Sequence, residues 1–178
     1  MTVEKQKILV KLDKLIEESS EIFKSINDLD KEDLSNSAYG WSIVQVFSHL
    51  NTAEIGSMLY MKKKMQAGSS MPDYSVSNKV RYFLTKGLLQ SSLRWKAPKV
   101  VANPKADYTL EEIKSEWAKN RELIREYINE YPEELLSRAV YKHPFAGRLD
   151  LDGAIDSFIY HQRHHKHQIR RIRKKIGK

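Results

Sequence analysis

Apolar residues recur at steps of three and four positions in five separate stretches of the chain. In the first stretch, for example, Leu12, Leu15 and Ile16 follow Ile8 and Leu9 at this spacing. The period is typical of amphipathic α-helices, in which one face turns toward a core. The sequence therefore predicts five helices, over residues 3–26, 42–66, 77–94, 109–131 and from 150 or 152 to 175.

Polar and helix-breaking residues mark the ends of these predicted helices. Ser42 is followed three residues later by Gln45, the pattern of a capping box, in which two side chains bond the first free amides. Thr109 and Glu112 repeat this pattern. The predicted breaks lie at residues 35–40 and 67–74, around Pro98 and Pro104, and at Pro132, before a short turn at 133–137.

The remaining segments offer little material for a β-sheet. Residues 140–146 could be extended, and we expect them to be too short to build a sheet. Helix breakers are few, with 7 Gly and 5 Pro in 178 residues. The predicted fold is all-α, an up-and-down four-helix bundle with long connections that forms one domain over residues 1–178.

The chain lacks cysteine and long apolar runs, which limits the chemistry and the cellular compartment that we expect. The chain has no cysteine, which excludes disulfides, thiolate metal ligands and a cysteine nucleophile. Charges interrupt residues 1–23 every few positions, unlike the apolar core of a signal peptide. No apolar run approaches the roughly 20 residues that cross a bilayer. We therefore expect a soluble, cytoplasmic protein.

The net charge of +8 favours either binding to a nucleic acid or an anionic membrane, or a solvated lysine-rich surface. Much of the excess lies in residues 170–178 and in Lys62, Lys63 and Lys64. Acidic residues are interspersed through most of the remainder, and no nucleic-acid recognition motif is present. We expect a small-molecule substrate or thiol as the partner, with no nucleic acid and no membrane.

Four of the six histidines lie within residues 161–167. His165 falls in the apolar stripe of the predicted last helix, and His161 precedes it by four residues. Both imidazoles therefore project from nearly the same side and can share one metal ion. His164 and His167 are rotated from His165 by about 100° and about 200°, which turns them away from such an ion.

His49 is the third candidate ligand, because it lies on the apolar face of the predicted second helix with Val46 and Leu50. Three inward imidazoles without partners would be costly to bury. They can be satisfied by one shared metal ion, or by bridging waters in a core without metal. The metal hypothesis assigns His49, His161 and His165 to one divalent ion, and zinc or nickel is expected among the metals that suit imidazole.

Three segments of the chain follow one another in a recognisable order and spacing. They are residues 41–50, which begin with Trp41 and Ser42 and end with His49 and Leu50; residues 143–147, His-Pro-Phe-Ala-Gly; and the motif His161-x-x-His164-His165-x-x-Gln168. Over nearly the whole chain, this arrangement resembles the DinB/YfiT-like metalloprotein family. The resemblance implies a four-helix bundle with a divalent metal at one end of its core, bound by His49, His161 and His165.

The resemblance also implies an activity. The family includes thiol S-transferases that use bacillithiol or related cofactors, a mycothiol-dependent isomerase and metal-dependent hydrolases. Three neutral imidazoles with an open fourth position are the pattern of a catalytic zinc site, at which the metal activates a bound water or holds a thiolate. Our first hypothesis is a metal-dependent enzyme, with thiol S-transfer placed ahead of hydrolysis.

One residue departs from the family pattern, in which many members have an acidic residue directly after the first histidine of the last helix. This chain has Gln162 there, which weakens the case for a carboxylate base and for a hydrolase. The rival hypothesis is a non-catalytic metal-binding or structural module that acts through dimerisation or ligand binding. Exposed apolar residues of the predicted third helix would then form the face of a homodimer.

Five further residues near these motifs are candidates for roles at the site. Gln168 either orients a ligand or substrate beside the histidines or is a surface glutamine. His143 lines the mouth of the site or belongs to a loop turn, and we expect the turn. Trp41 packs at the start of the second helix or forms a pocket wall. Tyr160 and Arg163 flank the site and are candidates for holding an anionic substrate, and a solvated role is preferred for Arg163.

Overall fold

A computed structural model of the protein describes residues 2–38, 40–90 and 102–178. These residues are mostly helical, which confirms the all-α prediction at that level. Two short 3-10 turns, at Gly68–Ser70 and Glu133–Leu135, add to the connections. The α-helices within the described residues are α1 (Val3–Lys24), α2 (Lys31–Ser35), α3 (Ile43–Met65), α4 (Val76–Gln90), α5 (Leu110–Glu130) and α6 (Leu151–Lys175).

Each of the five predicted helices corresponds to one of the long helices, with ends that agree within a few residues. Residues 91–94 of the predicted third helix and the predicted break at Pro98 lie outside the described residues. The short helix α2 was not predicted. It begins after Asp30, whose carboxylate accepts a hydrogen bond from the Asp33 amide at 2.8 Å. No described helix is both long enough and apolar enough to cross a membrane.

The predicted caps are present. Ser42 and Gln45 exchange both hydrogen bonds of a capping box at the start of α3, and Thr109 and Glu112 do so at the start of α5. Asp150 is the N-cap of α6, because its side chain accepts from the amide of the third helical residue at 2.8 Å. These bonds satisfy amides that have no partner within the helix, which explains why the helices begin where they do.

The expectation that residues 140–146 are too short for a sheet is wrong. Strand β1 (Tyr141–His143) pairs antiparallel with β2 (Gly147–Leu149) in a two-stranded hairpin. The turn is closed by the His143 ring, whose Nδ1 accepts from the amides of Phe145 and Ala146 at 3.2 and 3.0 Å. Gly147 has a φ of +82°, a conformation that side chains disfavour. The hairpin is stable because it packs against α3, α4 and α6 rather than standing alone.

Four of the long helices pack in a ring: α1 contacts α5 and α6, and α3 contacts the same two helices. The order differs from a simple up-and-down bundle. Lys11 pairs with Asp152 and Asp28 with Arg173, so α1 and α6 run parallel. The reason is α4, which packs outside the ring against α6 and the hairpin. Because α4 lies between α3 and α5 in sequence, α5 can begin at the same end of the ring as α3. Lys105, just before α5, accordingly lies against Ser48 near the start of α3.

The core of the ring consists of two apolar clusters, each with residues from α1, α3, α5 and α6, and a small third cluster lies between α4 and the hairpin. The first includes Leu12, Met58, Ile124 and Ile155, and the second includes Ile22, Val46, Trp117 and Ile169. A set of four buried polar residues, one taken from each of these helices, is linked together in the core. We call this set the polar layer, and it consists of Ser19, Glu54, Arg121 and Gln162.

Candidate metal centre

The three predicted histidines come from two neighbouring helices. His49 lies in the second turn of α3, and His161 and His165 lie one turn apart on α6. His49 and His165 are buried, and His161 is partly exposed. Because α3 and α6 pack against each other, the inward faces of both helices bring the imidazoles together. They form the group that we call the histidine cluster, with all three ligand nitrogens within 4.8 Å of one another.

The distances within the histidine cluster fit a shared ion. Nε2 of His161 lies 3.2 Å from Nε2 of His49 and 3.1 Å from Nε2 of His165. Zinc–nitrogen bonds of 2.0–2.1 Å in a tetrahedron separate two ligand nitrogens by about 3.3 Å. The two short edges of the cluster therefore match the spacing that a tetrahedral metal requires.

Hydrogen bonding between the rings alone does not satisfy this arrangement. A ring nitrogen has a single position in the ring plane, which holds either a proton or a lone pair. Nε2 of His161 nevertheless meets two other Nε2 atoms at short distance. One proton can align with one of these contacts, and the other contact is then left without a well-directed hydrogen bond. An ion that accepts all three lone pairs removes the conflict.

Gln168 orients one ring of the cluster. Its Oε1 lies 2.8 Å from Nδ1 of His165. Because this amide oxygen can only accept, Nδ1 carries the proton and Nε2 has a free lone pair toward the other two rings. This is the tautomer that a metal ligand needs, and ligating histidines commonly donate their second N–H in this way. The orienting interpretation of Gln168 therefore fits the structure better than that of a surface glutamine.

The surroundings keep the imidazoles of His161 and His165 uncharged. Burial lowers the pKa of His161 well below its usual range, and the neighbouring His165 and His49 rings add to this effect. Burial also lowers the pKa of His165 to about 3, helped by His49 and His164 and opposed by the bond to Gln168. Neutral imidazole is the form that binds metal, so near pH 7 His161 and His165 are in the protonation state that accepts an ion.

A protein-family model described as the DinB superfamily matches residues 12–169, and this range contains all three histidines. The chain belongs to the DinB superfamily. The resemblance drawn from the sequence motifs is thereby confirmed. No curated protein and no solved structure matches the chain.

Three further ring-bearing residues of this DinB-superfamily chain lie near the histidine cluster. Trp41 packs against the second apolar cluster, as expected, and its ring lies 4.9 Å from the His49 ring, measured between centroids. The His164 ring packs edge-on against His165 at 5.2 Å, and His164 is not part of the cluster. His143 belongs to the hairpin turn, as predicted. It is still close enough that its charge would lower the pKa of His161.

The two residues considered for an anionic substrate are held by the protein itself. Arg163 forms a two-bond ion pair with Glu18 of α1, with Nε 2.8 Å from the carboxylate. The Tyr160 ring is buried beneath the ammonium group of Lys86, which lies 4.5 Å from the ring centroid and also bonds Asp156. The solvated role preferred for Arg163 is therefore corrected to an inter-helix ion pair.

Position 162, where the family pattern expects an acid, faces the polar layer. Gln162 is fully buried, and its Oε1 accepts from Ser19 at 2.7 Å and from Arg121 at 3.4 Å. Its side-chain amide is thus directed to α1 and α5.

Glu54 and Arg121 form an ion pair in the core that was not predicted from the sequence. A signal was available: each occupies an apolar stripe, Glu54 between Leu50 and Met58 and Arg121 between Trp117 and Ile124. A lone charge at such a position indicates a buried partner.

Proposed function

We propose that this chain binds one divalent metal ion through His49, His161 and His165 and acts as a metal-dependent enzyme. The observation that carries the proposal is the convergence of three Nε2 atoms, with two separations of 3.1 and 3.2 Å that suit a tetrahedral ion. Among the described residues, the cluster consists of histidines alone. A fourth coordination position is therefore available for water or substrate, and zinc or nickel is the expected metal.

The bound ion would supply Lewis-acid chemistry, by lowering the pKa of a bound water to about 7 or by holding a thiol as its thiolate. We place thiol S-transfer ahead of hydrolysis. The amide of Gln162 is committed to the polar layer, and no carboxylate stands in its place as a general base. Because the chain has no cysteine, the thiol would come from a small molecule such as bacillithiol. The histidine ligands are the same for both reactions.

Elemental analysis of the untagged protein tests the metal proposal. We expect about one equivalent of zinc or nickel in the wild type and a loss of most of it in His161→Ala. The matched control is His167→Ala, which removes a histidine of the same helix that lies outside the histidine cluster. Wild-type protein that carries no metal and binds none when zinc or nickel is added would refute the proposal.

A paired activity assay separates the two reactions. Metal-loaded protein is given a low-molecular-weight thiol with an electrophilic acceptor, and in parallel an ester without thiol. Consumption of the thiol that His161→Ala abolishes would support S-transfer. Ester cleavage without thiol would overturn that preference in favour of hydrolysis.

The second candidate is a non-catalytic module that acts as a homodimer. It is favoured by the outer face of α4, where Val76 and Phe83 are each 75% exposed and Leu84 is 67% exposed. A contiguous apolar face of this kind is typical of an interaction surface. Light scattering would show a dimer that Phe83→Glu converts to a monomer. A monomeric wild type, or turnover in the paired assay, would rule against this candidate.

A further inference from the structure

The polar layer contains a buried ion pair that connects three helices. Arg121 of α5 donates from Nη1 and Nη2 to both carboxylate oxygens of Glu54 on α3, with Nη2 3.3 Å from Oε1. The same Nη2 lies 3.4 Å from Oε1 of Gln162 on α6. Arg121 is 5% exposed and Glu54 is 0% exposed, so water does not screen the pair. One guanidinium group therefore holds α3 and α6 at the same time.

These two helices are the ones that carry the histidine cluster. On α6, Gln162 directly follows His161. On α3, Glu54 comes five residues after His49, about one and a half turns along the helix. A rotation or sliding of α6 against α3 that separated the histidines would also pull Gln162 and Glu54 away from their shared donor. The position of Arg121 thus opposes the movements that would open the cluster.

Further contacts hold the guanidinium group of Arg121 and the side chain of Gln162 in their positions. Ser19 of α1 lies 2.7 Å from Oε1 of Gln162 and accepts from Nε1 of Trp117 at 3.0 Å. The guanidinium carbon of Arg121 lies 4.6 Å from the centre of the Trp117 ring. Gln162 is therefore fixed from α1 and α5 together, and the network spans all four helices of the ring.

Stability alone is a weak explanation for this network. Moving two charges out of water costs about as much as their attraction returns, and apolar replacements of a whole buried pair are often neutral or stabilising. The best-supported role of such groups is to specify one register among several packings. We propose that Arg121 is a positioning residue, which sets α3 against α6 so that His49 meets His161 and His165. This inference rests on the metal site proposed above.

The test removes both charges together. In Glu54→Leu/Arg121→Met the pair is replaced by apolar residues of similar size, so that neither charge is left buried alone. Gln162→Met removes only the α6 end of the link and serves as a second variant with a milder change. The matched control is Arg125→Met, one turn along α5, which breaks a surface ion pair with Asp13 of α1 and links no helix of the histidine cluster.

We expect the metal-free double variant to unfold at a urea midpoint close to that of the wild type. Its zinc affinity should fall by about tenfold to a hundredfold, the range seen when groups that orient metal ligands are lost. The absorption spectrum of bound Co²⁺ should change as well. Arg125→Met should leave affinity and spectrum unchanged. A folded double variant with wild-type affinity and Co²⁺ spectrum would overturn the inference.

Nitrogen-15 spectra of the histidine rings in the metal-free proteins separate this inference from the proposed function. We expect the signals of the three cluster histidines to shift in the double variant and in Gln162→Met, and to stay in place in Arg125→Met. If the wild type binds no metal, the proposed function fails, and these spectra still decide whether Arg121 positions the histidines. Unshifted ring signals in both layer variants would refute the positioning role.

Discussion

Replacement of Gln168 by leucine tests whether the bond to His165 prepares the histidine cluster for metal. In the wild type, Oε1 of Gln168 accepts from Nδ1 of His165 at 2.8 Å. Leucine cannot accept, and the His165 side chain is buried. When Nε2 binds a metal, Nδ1 must carry a proton, and in Gln168→Leu that N–H has lost its acceptor. The penalty therefore falls on the metal-bound state.

The size of the effect follows from this bond. A buried N–H that loses its partner costs about 1–3 kcal/mol, which corresponds to roughly a 5-fold to 150-fold weaker metal affinity. This range overlaps the loss of about 10-fold to 100-fold that is typical of residues behind metal ligands. Gln168→Glu should retain or strengthen binding, because a carboxylate accepts the same proton and is charged.

The assay is competition for zinc against a chromogenic chelator at constant pH and ionic strength. His167→Leu is the control, because it places the same apolar side chain next to position 168 without touching the cluster. Thermal unfolding of the metal-free proteins shows whether the fold is preserved. If Gln168→Leu binds zinc within twofold of the wild type, the bond does not prepare the ligand and the reasoning is refuted.

Three further predictions concern the hairpin and the start of α6. Burial lowers the pKa of His143 to about 4, below its usual 6.5, so its protonation favours the unfolded chain. As the pH falls from 6.5 to 4, the free energy of unfolding should therefore fall by up to about 1.4 kcal/mol per pH unit. His143→Asn, whose oxygen can accept the same turn amides, should lose less in urea unfolding. Burial raises the pKa of Asp150 from 3.8 to about 6. The folded state therefore favours the protonated carboxyl, and the stability that this gives is lost as the pH rises through 6. Asp150→Asn keeps the cap and should gain stability over wild type from pH 4.5 to 7; an unchanged difference would contradict this. Gly147→Ala meets a φ of +82° and the Arg81 side chain at 3.3 Å, and should cost about 1–2 kcal/mol in thermal unfolding.

The long helices and the histidine cluster could be predicted because their signals are local. The apolar period and the helix caps both depend on residues only a few positions apart. Ser42 and Asp150, for example, each cap a helix by accepting from the amide three residues later. His161 and His165 share a face through helix geometry alone. His49 was added because it is an inward histidine on another helix.

The features that escaped prediction depend on distant partners. Glu54 is 67 residues from Arg121, and Arg121 is 41 residues from Gln162. No local pattern determines such pairings. The hairpin escaped for a similar reason, because three residue pairs gain their stability from packing against helices. Packing between helices places α4 outside the ring and makes α1 and α6 parallel. The spacing of apolar residues along each helix does not determine this arrangement.

The parallel contact of α1 with α6 has a consequence for how the protein is made. Lys11 pairs with Asp152, 141 residues later in the chain, and Asp28 pairs with Arg173, 145 residues later. During synthesis, α1, α3 and α4 leave the ribosome with their α6-facing surfaces uncovered, and with His49 as the single member of the histidine cluster. Growing chains of this kind are exposed to aggregation until the last helix docks. Under the proposed function, a metal ion can meet all three histidines only after α6 has been made and has packed against α3.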